Sequence, residues 1–164
     1  MGYCMDQRDS SVFIAKKDRS KVKAAINALM SRAGAQSGGK FRWVDTDTVL
    51  QARTLDEQLE EWLWAPEYDA DGNIVDLVFQ GEKAGDDIEL FKAIAPYVRA
   101  DSFIEMHGED GSLWRWHFDG ADCEELDAEV RFTRPKKGAI IDVEATEVTA
   151  RSALVGKAKA LPKA

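Results

Sequence analysis

Cysteine is scarce: Cys4 and Cys123 are the only two in 164 residues. That is too few for a disulfide scaffold, and there is no second pair to build a zinc site. Both read as reduced, structural thiols of a cytosolic protein. Histidine is as rare, with only His107 and His117, and their spacing across a turn matches no metal signature. No apolar run approaches the ~18 residues that cross a bilayer. The opening Met-Gly-Tyr-Cys-Met-Asp lacks the basic and apolar regions of a signal peptide. Asp6 also stands where N-myristoylation prefers Ser or Thr. A soluble, cytoplasmic protein is expected. No Lys-Ser/Thr pair follows Gly38-Gly39, so that loop is not a phosphate cradle. Ser10, Ser11, Ser102 and Ser112 lack a nucleophile elbow, and neither cysteine has a histidine near it in sequence. No motif supports an enzyme, and the sequence asks for no cofactor and no metal.

Positive charge is missing from the middle of the chain. Residues 1–42 hold nine Lys/Arg against three Asp/Glu, a balance of +6, whereas residues 43–130 hold five against twenty-four, a balance of −19. Residues 131–164 return to +5, with eight against three. A field this negative repels phosphate backbones over roughly a Debye length, ~8–10 Å. Direct nucleic-acid binding is therefore disfavoured. A basic protein surface is a compatible partner, as is mimicry of nucleic acid, beside the plain reading of a solubility surface.

What the chain does have is a hairpin signature. Ser102 to Phe118 reads Ser-Phe-Ile-Glu-Met-His, then Gly-Glu-Asp-Gly, then Ser-Leu-Trp-Arg-Trp-His-Phe. Two alternating runs around a Gly-bounded turn predict paired antiparallel strands. Strand alternation puts Ile104, Met106, Trp114, Trp116 and Phe118 on one face. Glu105, His107, Arg115 and His117 fall on the other, with Asp76 and Arg131 expected beside them. Two histidines near a carboxylate suit a metal or a proton shuttle, and two arginines suit a phosphate or carboxylate clamp. A wet sheet face laced with cross-strand ion pairs has the same pattern. Among the five tryptophans, Trp62 and Trp64 stand two apart on an expected helix and cannot both enter one core. Trp64 is thus a candidate to line a groove.

Elsewhere local signals place the elements. Tyr3–Ala15 reads as extended, with a turn or bulge at Asp9-Ser10-Ser11 and Val12 and Ile14 buried. Ser20 caps a helix to about Arg32, basic at its start. Asp45-Thr46-Asp47-Thr48 caps a helical turn, and Thr54 with Glu57 forms a capping box. The helix after it carries Glu57, Glu60 and Glu61 outward and ends at Pro66. Asp69-Ala70-Asp71-Gly72-Asn73 resembles part of a calcium loop, but Gln80 holds the twelfth position, so a hairpin turn is preferred. Asp86 caps a helix to about Ala95, and Glu129–Thr133 offers a last core strand through Val130 and Phe132. The expected fold is α+β: a mostly antiparallel sheet with helices on one face, in a ferredoxin-like (split βαβ) variant with an extra strand. Residues 1–133 form that domain. Residues 134–164 form a linker, an edge strand over Ile140–Val148 and a Lys/Ala tail.

Met-Gly-Tyr-x-Met, Phe-x-Trp-Val-Asp-Thr, Trp-x-Trp, Asp-Gly-Asn-Ile-Val, Gly-Glu-Lys-x-Gly-Asp and Ile-Glu-Met-x-Gly-Glu-Asp-Gly-x-x-Trp-Arg-Trp all occur before Phe132. With Ala-Ile-Ala-Pro-Tyr-Val they resemble a group of small uncharacterised proteins of bacteria, phages and mobile elements. The resemblance implies an accessory cytoplasmic protein and transfers no catalytic residue. In that setting a non-enzymatic acidic binding module is expected, one that blocks a host defence protein or sequesters a nucleotide-like signal. Glu60, Glu61, Asp86 and Asp87 are the expected protein-partner surface. Glu105, His107, Arg115, His117, Arg131 and Trp64 are the expected ligand set, at a dimer interface if the chain is a homo-oligomer. The alternatives are a small enzyme acting on a phosphorylated molecule through the His/Glu/Arg face, and a structural or assembly protein.

Overall fold

The structure, a computed structural model, describes residues 2–33 and 41–134. Six strands and four α-helices follow along it in the order strand, three helices, two strands, helix, three strands, an α+β fold. Strand β1 (Met5–Ser11) pairs with β4 (Phe103–Gly108), β4 with β5 (Leu113–Phe118), and β5 with β6 (Cys123–Asp127). All three pairings are antiparallel. A separate antiparallel hairpin joins β2 (Trp64–Tyr68) and β3 (Ile74–Phe79). The ferredoxin-like arrangement is not shown: a split βαβ unit places another strand between two strands joined by a helical crossover, whereas here β4, β5 and β6 follow one another as a meander beside β1, and β2 and β3 stand in their own hairpin.

The alternation of the central hairpin does what its sequence demands. Ile104 faces Trp116 and Met106 faces Trp114, while Glu105 faces Arg115 on the opposite side. Ile104, Met106, Trp116 and Phe118 are buried. Helices α1 (Arg19–Ala33) and α4 (Asp87–Ile94) contribute Val22, Ile26, Leu90, Phe91 and Ile94 to the same core. Phe91 sits 5.0 Å from the Trp116 ring and 5.8 Å from that of Phe118. Burying one such aromatic is worth on the order of 3 kcal/mol.

Two short helices close one end. Asp45 caps α2 (Thr46–Gln51) by accepting from the Thr48 N–H. Thr54 and Glu57 form the reciprocal box that starts α3 (Leu55–Glu61). Trp62 and Trp64 then depart from expectation, for both are buried. The helix ends at Glu61, and Leu63 takes a left-handed φ of 65°. That single inversion turns the chain from helix to strand and lets both indoles enter the core, so Trp64 lines no outer groove.

The two sheets are joined along β1. A bulge at Arg8 shifts its register between Gln7 and Asp9. The Gln7 side-chain amide donates to the Leu77 carbonyl at 2.9 Å and accepts from the Phe79 N–H at 2.7 Å, standing in for a backbone rung. Further on, Ile14 and Ile74 exchange two backbone bonds of 2.9 Å. On the other side of the bulge, Met5 N–H reaches the Glu82 carbonyl and Ala84 N–H reaches that of Tyr3. These bonds fix the loop of residues 80–86 beside Tyr3.

The compact unit ends at Glu129, and a second unit spans Val130–Ala164. The expected core strand over Glu129–Thr133 does not form: Val130 is 63% and Phe132 99% exposed. The last strand among the described residues is β6 instead, which buries only Cys123. The expected loop at residues 34–40, edge strand at 140–148 and Lys/Ala tail lie outside the described residues. No helix among the described residues is long and apolar enough to cross a membrane.

Candidate functional site

The outer face of the hairpin holds the ionisable row. Arg115 binds Glu105 at 2.7 Å, Arg8 approaches the same carboxylate at 3.6 Å, and the Arg115 guanidinium lies 4.3 Å from the Phe103 ring centre. The glutamate between the two arginines neutralises much of their pull on an anion. His117 lies 3.7 Å from Asp101 and 3.9 Å from Glu124. His107 is exposed and pairs with Leu113, at the far end of the hairpin from His117, which pairs with Phe103. Four strand residues separate the histidines, about 13 Å at the usual rise. They do not converge, and no group of His, Cys, Asp or Glu among the described residues is arranged to hold a metal. Asp76 lies on β3 and accepts from Ser10 at 2.8 Å, away from this face. Arg131 lies on no strand and belongs to the second unit.

The expected acidic surface also changes character. Asp87 is buried: it accepts from the Trp64 indole at 2.9 Å and from Gly85 N–H at 3.1 Å. Burial pushes its carboxyl above the usual value, against the pull of those two bonds. Asp86 accepts from Arg42 N–H at 2.7 Å, and Glu61 accepts from Asp45 N–H at 3.0 Å. Three of the four carboxylates therefore clasp backbone. Glu60 alone of the four is exposed with no hydrogen-bond partner among the described residues.

Those clasps shape a groove at the rim of the inner face. Tyr3, Trp114 and Trp116 form one wall, and Gly85, Asp87 and Ile88 form the other, around a cavity of about 270 Å³. A second hollow of about 480 Å³ shares Tyr3, Ala84 and Gly85 and extends past Arg42 and Trp43. Tyr3 lies 6.3 Å from Trp114, which lies 6.0 Å edge-on to Trp116. Tyr3 is held there by donating its hydroxyl to Asp110. That bond raises the tyrosine and holds Asp110 down at about 2. Gly108 makes room for it, since a Cβ there would lie 1.8 Å from the tyrosine oxygen.

At the outer lip the Trp43 indole is 53% exposed, donates to the Ala84 carbonyl at 3.3 Å and lies under the Lys83 ammonium at 5.4 Å. Neither Lys83 nor Arg42 has an ion pair among the described residues. An aromatic slot with cations at its mouth stacks a planar ring and attracts an anionic substituent. Reasoning from alternation alone missed this site, because Tyr3, Trp43, Gly85 and Trp114 come from four distant stretches. No protein-family model matches the chain, and no curated protein or solved structure matches it significantly.

Proposed function

We propose that this chain is a non-enzymatic binding module that sequesters a nucleotide-like small molecule in the groove between Tyr3 and Trp114. The observation that carries the reading is the groove itself, with aromatic walls and a size suited to one ring system, beside a second hollow bordered by Arg42 and by the Trp43 indole that Lys83 covers. In a unit whose residues 43–129 hold five Lys/Arg against twenty-four Asp/Glu, two unpaired cations beside one hollow mark where a phosphate is tolerated. The separation of His107 from His117 leaves the outer face without a converged histidine pair among the described residues, which favours binding over turnover on that face. Acting on a host defence signal fits the phage and mobile-element setting that the motifs resemble.

Native mass spectrometry after incubation with cell extract tests this directly. A small mass released on denaturation, lost in Trp114→Ala and Tyr3→Ala, is the expected result. Capture of nothing, together with no fluorescence change on titrating a nucleotide panel, would overturn it. A basic protein partner is the second reading, favoured by β6, which is an edge strand among the described residues and exposes Glu124, Glu125 and Asp127. Charge reversal at Glu60, Glu124 and Asp127 separates the two, since it would abolish protein capture and leave the groove intact.

A further inference from the structure

The polar lining of the groove goes beyond a general nucleotide site and rests on that reading. Most side-chain donors bordering the cavity are consumed within the protein. Tyr3 gives its proton to Asp110, and the Ser112 hydroxyl engages the same pair. Trp116 gives its indole N–H to Glu125 Oε2 at 2.7 Å. The Trp114 indole N–H has no partner among the described residues. What the side chains offer a ligand is therefore two carboxylates, Asp87 and Glu125, and one N–H. Each Asp87 oxygen already holds a donor. Glu125 Oε1 holds none among the described residues.

That inventory is selective. A carboxylate accepts two parallel N–H groups well, and it repels a ring edge that presents lone pairs. Adenine presents one amino donor beside an acceptor, and uracil one donor between two acceptors. Only the edge with a ring N–H next to an exocyclic amine and a carbonyl offers two adjacent donors and one acceptor. We propose that the groove selects this 2-amino-4-oxopyrimidine edge, the edge of guanine nucleotides and pterins, with Glu125 taking the two N–H groups. Glu125 is in that case a specificity residue. The ring stacks at Tyr3 and Trp114, and the phosphate of a nucleotide points toward Arg42.

Isothermal titration of the full chain with GMP, IMP, AMP, UMP and neopterin tests the assignment. IMP lacks only the exocyclic amine, so GMP is expected to bind at least about tenfold tighter, the size of one charge-assisted hydrogen bond. Glu125→Gln, checked for native circular dichroism, is expected to bring GMP to the level of IMP. Neopterin binding alongside GMP would show that the ring edge suffices, and GMP binding without it would assign the site to guanine nucleotides. AMP or UMP binding as tightly as GMP would overturn the edge assignment and leave the groove standing. An unchanged GMP-to-IMP ratio in Glu125→Gln would do the same. No binding by any of the five would overturn both.

Discussion

The two faces of one hairpin differ in how their chemistry is spent. On the outer face, the residues that look most reactive in sequence neutralise one another: Glu105 is shared by Arg115 and Arg8. On the inner rim, residues that look like core or loop line a hollow beside a Glu125 oxygen that has no partner among the described residues, and Arg42 borders the hollow next to it. Charged residues on neighbouring strands meet each other first, because cross-strand distances suit them. A ligand site needs groups that the fold brings close yet leaves unsatisfied; on this rim Glu125 stands on β6 and Arg42 on a loop whose backbone Asp86 holds.

The largest effect that would sharpen this contrast lies behind the groove wall. Trp64→Ala removes a fully buried indole packed 5.0 Å from Phe79 and 5.1 Å from Phe91. It is expected to destabilise the protein by ~3–5 kcal/mol in urea unfolding. A cost no greater than that of Arg115→Ala would erase the distinction between the faces.

Asp87→Asn comes next. An amide offers one acceptor where the carboxylate offers two, so its NH2 would face either the Trp64 indole or the Gly85 N–H. A loss of ~1–3 kcal/mol is expected, despite the removal of a buried charge. The pH dependence has a defined sign. Because burial raises the carboxyl above its usual 3.8, the native state keeps this proton after the unfolded chain has released it. The contribution of Asp87 therefore favours folding most below pH ~4 and declines as pH rises through the raised value. Unfolding of the native protein and of Asp87→Asn across pH 3–7 should show that slope only in the former; parallel curves would refute it.

Gly108→Ala tests the groove with little disturbance to the core. The new methyl occupies the place of the Tyr3 hydroxyl, and the half-buried ring can swing outward. Ligand affinity is expected to fall about tenfold or more, with stability changed by less than ~1 kcal/mol. Unaltered affinity would remove Tyr3 from the site. The smallest effect belongs to the outer face, where Arg115 is 43% exposed. A Glu105→Ala/Arg115→Ala double-mutant cycle should give a coupling of ~0.2–1 kcal/mol and no change in ligand binding.

What could be read from the sequence was what is decided locally. The Thr54–Glu57 box, the Asp69–Asn73 turn and the alternation of Ser102–Phe118 involve neighbours a few residues apart, and each stands in the structure. Trp62 and Trp64 were not legible as a buried pair, because a single positive φ at Leu63 carries no apolar pattern. Strand β6 was equally hidden: Cys-Glu-Glu-Leu-Asp buries one side chain and so lacks alternation. Asp86 and Asp87 read as surface acids because their distant partners, the Arg42 N–H and the Trp64 indole, are set by the tertiary fold. The groove shares that property, which is why residue type alone pointed to the opposite face.

The pairing of β1 with β4 has a consequence in time. Met5 meets Gly108 across a loop of about a hundred residues, and closing so long a loop comes before any contact rewards it. On the ribosome, the first strand can reach β3 and the loop of residues 80–86 early but must wait for its own sheet partner until β4 has emerged. The two-stranded β2–β3 hairpin and its helices can assemble meanwhile. Tyr3 therefore takes its place against Gly108 and Asp110 only when the sheet closes, and the ligand capture proposed above is denied to copies that end before β5.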